Sequence, residues 1–406
     1  MKLEKSKNRN GWRTVKLGEV CVSKTGTRSP ADEPNSVFNY VDITSVDNVS
    51  KRITAPKELI GRDAPSRARQ IIRAGDVLVS TTRPNLNAVA LVPPELDNQI
   101  ASTGFCVLRG GEEIDSEFLF SFVRTPEFVS NLTELTKGAL YPAVNDKQVF
   151  SQFISLPPLA EQRRLSAQLR EQMAEVERAR SAVQAQLDAA QTLPAALLRA
   201  IFTCPAAQRW PRRRLGEICE LLPARSVASD GDTEVRAITS ACLTETGFSF
   251  AGIKIARMDG DDANESKLTL GEIIIARSNT PELVGRVAMF EGPADGVVAS
   301  DLTIRLRPAD ERTGQFLNRY LSFLYLTGYW RERASGASGT MKKITRTQLD
   351  ALEVPFPPLA DQQKIAARLD AELTAARTLV EKLETRLAEI ELLPAALLRS
   401  AFSQQN

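Results

Sequence analysis

The stretch LPPLAEQRRLSAQLREQMAEVERARSAVQAQLDAAQTLPAALLRAIF occupies Leu156–Phe202, and FPPLADQQKIAARLDAELTAARTLVEKLETRLAEIELLPAALLRSAF occupies Phe356–Phe402. The two align without a gap at an offset of 200 positions, and an internal repeat sets architecture before any local reading does. Each copy opens on paired prolines, Pro157-Pro158 and Pro357-Pro358, which end a preceding element and commonly precede a helix start. Apolar residues then recur at heptad spacing: Leu169, Met173, Val176, Val183, Leu187 and Ala190 in the first copy, Leu369, Leu373, Ala376, Val380, Leu383, Leu387 and Ile390 in the second. Arg180 is the one polar residue on the stripe. Each copy therefore predicts a long helix, with a stripe spanning roughly 45–50 Å.

A helix with one apolar stripe needs a partner, and the economical partner is its own repeat. An antiparallel pair with facing residue numbers summing to 556 sets a positions against d positions, Met173 against Leu383 and Arg180 against Ala376. The alternative is that each helix packs on its own domain. Pro194 and Pro394 are expected to kink or restart the helices, leaving "AALLR" as a further apolar turn.

The segments before each helix also correspond, more loosely. KLGEVC (16–21) matches RLGEIC (214–219), each after a tryptophan, Trp12 and Trp210; AGDVLVS (74–80) matches LGEIIIA (270–276); IASTGFCVLR (100–109) matches VASDLTIRLR (298–307). Short β-like runs come first, and a helical stretch (116–135 and 314–333) closes each half, as in α+β domains. The fold class expected is α+β: two repeated α/β domains separated by two long helices paired as an antiparallel coiled coil. The divisions are 1–156, 157–203, 204–356 and 357–406.

Net charge is +2 over 406 residues, so a nucleic-acid surface has to come from local placement of cations. Polar and basic residues gather at two places in each half. In the first these are Thr82, Arg83, Asn85 and Asn87, then Lys137, Gly138 and Tyr141; in the second, Arg277, Ser278, Asn279 and Thr280, then Ser335, Ser338, Thr340, Lys342 and Lys343. Such side chains hydrogen-bond base edges and phosphates; equally, polar loops are often only solvated.

The chain has no histidine, which excludes Ser-His-Asp and Cys-His catalysis and the histidine-dependent zinc motifs. No GxGxxG or GxxxxGK[ST] loop occurs. The five cysteines stand at least 15 residues apart, a spacing that suits buried apolar residues and not a metal site. Asp262, Glu265 and Lys267 (DDANESK) have a nuclease-like D…ExK spacing without a counterpart in the other half, and read as a solvated loop. LPPL and FPPL lack the Asn or Asp and the aromatic of an amino-methyltransferase motif. No apolar run spans a bilayer and the first ten residues lack a signal-peptide core, so a cytoplasmic protein is expected.

The doubled PPLAEQ/PPLADQ-plus-helix element, each copy after a segment opening W…LGE(V/I)C, resembles the specificity (S) subunits of type I restriction–modification systems, over essentially the whole chain. The resemblance implies a non-catalytic DNA-binding subunit. Each variable half would be a target recognition domain reading one part of a split, asymmetric double-stranded DNA sequence. The helices would act as a ruler and as docking sites for two methyltransferase subunits, with restriction/motor subunits in the full complex. It implies no cofactor on this chain, S-adenosylmethionine, ATP and magnesium belonging to the partners. A span of about 50 Å equals one to one and a half turns of B-DNA at roughly 35 Å per turn. A specificity subunit of a fused type II-like methyltransferase–nuclease would look nearly the same, and a coiled-coil scaffold unrelated to DNA is the remaining alternative.

Overall fold

The structure is a computed structural model and describes residues 11–136, 141–222, 225–227, 231–293, 296–336 and 341–403. The first long helix runs Leu159–Phe202 and the second Leu359–Ser403, starting directly after the proline pairs. Both continue through Pro194 and Pro394, so of the kink or restart expected there the restart does not occur. At 1.5 Å per residue each is about 66 Å long, because the "LPAALLR" turns continue the helix. The expected stripe is the buried face: Leu169, Val183, Leu187, Leu369, Ala376 and Leu383 are buried, and Met173, Val176, Arg180, Leu373, Val380 and Leu387 half-buried. Among the described residues, no helix is long and apolar enough to cross a membrane.

Contacts gather the chain into two units, residues 1–183 with 386–406, and residues 184–385. Each unit therefore holds the beginning of one long helix and the end of the other.

In unit 1 the central strand Val77–Ser80 is flanked by Phe105–Leu108 and Val89–Leu91, all antiparallel. Val77, Val79, Cys106 and Leu108 pack toward Phe118, Phe128 and Leu165, while Leu78, Ala90, Phe105 and Val107 pack toward Val41 and Ile72. A strand buried on both faces reads as a continuous apolar run, which is why DVLVS does not alternate. A four-stranded sheet, ordered Lys57–Ile60, Val37–Val41, Gln99–Ser102, Ala68–Ile72, lies beyond it. Arg13–Lys16 pairs with Phe153–Leu156, so the start of the domain is stapled to the strand leading into Pro157.

Unit 2 repeats this plan. Ile273–Ala276 lies between Thr303–Pro308 and Val287–Met289, with Cys219–Leu222 added at the edge. Arg212–Arg214 pairs with Glu353–Pro355 before Pro357.

The terminal phenylalanine of each long helix closes a unit. In unit 2, Phe202 packs on Phe316, Tyr320 and Phe323, with centroids 5.2–5.6 Å apart. In unit 1, Phe402 packs on Phe118 and Phe122 at 5.0 and 5.8 Å, and Arg399 approaches Glu127 at 3.7 Å. Within unit 1 the two helical segments run in opposite directions. Leu165, near the start of the first helix, and Phe402, at the end of the second, both join the domain core. Farther along, Arg180 lies within electrostatic reach of Glu391. Glu391 is fifteen positions beyond Ala376, about 22 Å of helix. Arg180 is thus placed toward Glu391, well along the helix from the Ala376 that a register summing to 556 sets against it. Met173 is approached by Arg124 in unit 1 (Nη2 to Sδ, 3.9 Å).

Gln162 and Gln362, the last residues of the PPLAEQ and PPLADQ motifs, are fully buried. Gln162 donates to the Pro157 and Glu113 carbonyls (2.8 and 2.9 Å) and accepts the Asp115 N–H (2.9 Å). Gln362 donates to the Pro357 carbonyl at 2.8 Å. Its Oε1 has no partner among the described residues, because Thr313, at the position of Asp115, donates its N–H to Asp310.

A buried acid–arginine pair recurs beneath each central sheet. Asp76 binds Arg109 through two bonds of 2.8 and 2.7 Å. At the matching place Glu272 binds Arg307 (2.8 Å) and also Arg305 (2.9 Å), the latter 2% exposed. Four cysteines, at 21, 106, 219 and 242, are buried, and burial pushes the Cys21 and Cys219 thiols up to about 12.

Glu272→Gln leaves the Arg305 guanidinium buried without its counter-charge, and loss of one partner of a buried pair costs about 3–5 kcal/mol. Hydrogen exchange by mass spectrometry should show protection falling across unit 2 strands while unit 1 strands keep theirs. Phe202→Ala should likewise destabilise unit 2 by about 3–5 kcal/mol and leave unit 1 protected, although Phe202 precedes the second domain in the chain; equal loss in both units would contradict this assignment.

Candidate nucleic-acid interface

The two gatherings of polar residues in each half meet in the folded units. In unit 1, Thr81 accepts the Val144 N–H and Arg83 donates its N–H to the Pro142 carbonyl, both at 2.8 Å. The loop after Val77–Ser80 is thereby laid beside Tyr141, which is 85% exposed. A single 3₁₀ turn, Pro84–Leu86, is flanked by Arg83 (φ +48°) and Asn87 (φ +47°), both left-handed. Non-glycine residues there carry backbone strain of order 1 kcal/mol each, which tends to collect at functional sites. Arg83 and Asn85 are exposed and Asn87 is half-buried.

In unit 2, Ser278 and Asn279 form a short strand paired with Lys343 and Lys342. Ser335 exchanges both backbone hydrogen bonds with Lys343, at 2.9 and 2.7 Å, and the Arg277 carbonyl accepts the Ile344 N–H at 2.8 Å. Thr280 is exposed and donates its N–H to Asn279 Oδ1 at 2.9 Å. Gly285 takes the place of Asn87 with φ +82°, and a Cβ there would lie 2.2 Å from the Trp330 ring, so only glycine fits. Of the sequence candidates, Lys137, Gly138, Ser338 and Thr340 lie outside the described residues.

Among the described residues, Arg83, Arg277, Lys342 and Lys343 make no ion pair. Arg277 Nε is buried without a hydrogen-bond partner among the described residues, a group that calls for a ligand or a solvent bridge. Uncompensated cations beside Asn, Ser and Tyr side chains at strand ends are suited to phosphates and base edges.

Sequence reading missed Lys51. It lies in the turn between the strands Val46–Asp47 and Arg52–Ile53, with φ +56°. Its Nζ donates to the Asn87 carbonyl at 2.6 Å, although it stands 36 residues upstream of Asn87. The only signal was a Lys-Arg pair between two short β-like runs, which composition alone does not separate from an ordinary solvated turn.

The DDANESK cluster lies on a helix, Gly260–Ser266, and not on the loop expected. Arg225 binds Asp262 and Glu265 at 3.3 and 2.8 Å, and Lys267 donates to Asn264. Both carboxylates are thus held by an arginine.

The chain matches the family model described as the type I restriction modification DNA specificity domain twice, over residues 9–181 and 208–391. It is 20% identical to the type I restriction enzyme StySPI specificity subunit of Salmonella potsdam, over 98% of this chain and 90% of that one. The solved HsdS subunit from Thermoanaerobacter tengcongensis is 32% identical with a TM-score of 0.70, each chain fully covered. A chain from a structure describing complex assembly and conformational transition of the type I R-M system is also 32% identical, with a TM-score of 0.82 over 99% of this chain and all of that one. With two matched copies across most of its length, set on the duplicated fold and paired loop sites above, the chain belongs to the type I restriction modification DNA specificity family.

Proposed function

We propose that this chain is a DNA-reading subunit without a catalytic centre of its own, and that it recognises a bipartite, asymmetric double-stranded target with one half-site for each unit. The observation that carries this reading is the repeated pairing of a strand-end loop with the segment before the long helix, each site bearing cations that make no ion pair among the described residues. The two sites differ in residues: Arg83, Asn85, Asn87 and Tyr141 against Arg277, Ser278, Asn279, Lys342 and Lys343. Different side chains at equivalent places read different bases, so the half-sites are unlike and the target is asymmetric.

The chemistry of modification and cleavage then belongs to partners: two methyltransferase subunits docked on the long helices, and restriction/motor subunits in the full complex. S-adenosylmethionine, ATP and magnesium are bound there, consistent with a chain that lacks histidine and phosphate-cradling loops. Near-neutral charge supports a division of labour in which partners supply much of the phosphate contact.

The test is to express the chain with the methyltransferase encoded beside it and map modified adenines across the host genome. A split motif with a fixed unread spacer is expected, and absence of any motif from a folded, assembled complex would refute the reading. Arg83→Ala should cost about 1–3 kcal/mol of discrimination at one half-site only, and Arg277→Ala the same at the other. Equal relaxation of both half-sites by either variant would refute the division between units.

A further inference from the structure

Two cations in unit 1 lie close enough beside the Arg83–Asn87 loop to repel one another, and neither forms an ion pair with a carboxylate among the described residues. Lys51 approaches from the hairpin turn, its ammonium 2.6 Å from the Asn87 carbonyl. Arg124 immediately precedes the Thr125 cap of the helix Pro126–Glu134, which packs against Pro84–Leu86. The Arg124 guanidinium lies over the Phe120 ring at 4.9 Å, with Met173 Sδ at 3.9 Å. Neither contact supplies negative charge. Burial lowers the Arg124 pKa, and burial with the nearby Arg124 charge brings Lys51 down to about 8. Asp47, the acid that faces Lys51, is already occupied by the Val49 and Ser50 N–H groups at 2.9 and 2.6 Å.

Partly buried like charges are costly unless something neutralises them, and Asp47, whose charge reaches Lys51, forms no ion pair with it among the described residues. Three of the four non-glycine residues with positive φ among the described residues, Lys51, Arg83 and Asn87, belong to this one arrangement. The second unit supplies an internal contrast. Its matching hairpin, Leu243–Thr244 with Gly247–Phe248, carries Glu245 in the turn. Glu245 lies 3.6 Å from Arg286, which also binds Tyr325 Oη and the Leu243 carbonyl. There the cation is neutralised within the fold.

We propose that Lys51 and Arg124 form a phosphate clamp that grips the DNA backbone beside the half-site read by unit 1, with no counterpart in unit 2. The proposal rests on the reading of unit 1 as a DNA-binding domain, and adds two contact residues and an asymmetry to it. Because Lys51 also holds the Asn87 carbonyl, gripping the backbone and setting the recognition loop are one act.

The experiment uses the complex of this chain with its methyltransferase on a duplex carrying the mapped motif, with affinity measured by fluorescence anisotropy across a salt series. Lys51→Met and Arg124→Met should each weaken binding about fivefold near 0.15 M salt and reduce the log–log salt slope by about one. Base preference should be unchanged in Arg124→Met, and Lys51→Arg should keep the wild-type slope. Neutral methylphosphonate linkages at the unit 1 half-site, identified through Arg83→Ala, should abolish the difference between wild type and the double variant, whereas linkages at the other half-site should not. An unchanged slope in a double variant with native melting temperature overturns the clamp while the two-reader function stands. Loss of base preference with an unchanged slope assigns Lys51 to loop support alone and equally overturns it. Inorganic phosphate that raises the melting temperature of wild type but not of the double variant, with the DNA slope unmoved, makes the pair a free-anion site instead. A wild-type complex that binds no motif fails the underlying reading, and the clamp with it.

Discussion

A helix about 66 Å long gains little from its own backbone and depends on what its ends bury. Here the ends are fixed by aromatic packing: Phe202 enters the Phe316–Tyr320–Phe323 cluster, and Phe402 the Phe118–Phe122 cluster. The beginnings are fixed by Gln162 and Gln362 folded back on the Pro157 and Pro357 carbonyls. Each domain is thus sealed by a helix start that follows it in the chain and by a helix end that does not. For that reason the phrase LPAALLR(A/S) recurs: it carries Leu198 and Leu398 inward, and one turn later delivers the phenylalanine.

Divergence between the halves is concentrated where sealing is not at stake. The proline pairs, the glutamines and the terminal phenylalanines repeat, as does a buried acid under each central strand, Asp76 or Glu272. The loops beyond those strands do not repeat. Unit 1 uses a strained 3₁₀ turn between two left-handed residues, whereas unit 2 uses a short strand paired with Lys342–Lys343. A rigid, doubly buried strand can tolerate either ending, since its own hydrogen bonds and packing are complete before the loop begins.

The duplication, the two helices, their stripes and the α+β character of each half were legible because they rest on periodicity and repetition. The helix register was not. An antiparallel a/d pattern looks the same after any whole-heptad shift, so the register summing to 556 is one of several that the stripes allow. The aromatic docking of each helix end within its own unit is likewise something no stripe reveals. The same limit applied to the sites. The loop at Arg83 and the segment at Tyr141 could be nominated separately, but their union depends on hydrogen bonds from Arg83 to Pro142 and from Val144 to Thr81. Those bonds join places some sixty residues apart. Lys51 escaped notice because its role is a single bond to a carbonyl, and any residue has a carbonyl.

Net charge near zero conceals the electrostatic design. Most of the arginines along the long helices and domain edges are tied to carboxylates three or four residues away or across a strand, as in Arg164–Glu161, Arg178–Glu175 and Arg368–Glu372. Exposed pairs of that kind contribute little stability, yet they cancel the long-range field of the cations they hold. Among the described residues, Arg83, Arg277, Lys342 and Lys343, which stand at the loops, are among the cations that make no ion pair. A chain built this way has little attraction for nucleic acid at a distance and a strong local one at the strand ends. Non-specific binding scales with the number of phosphates neutralised, so cations held in ion pairs contribute less to it than unpaired ones.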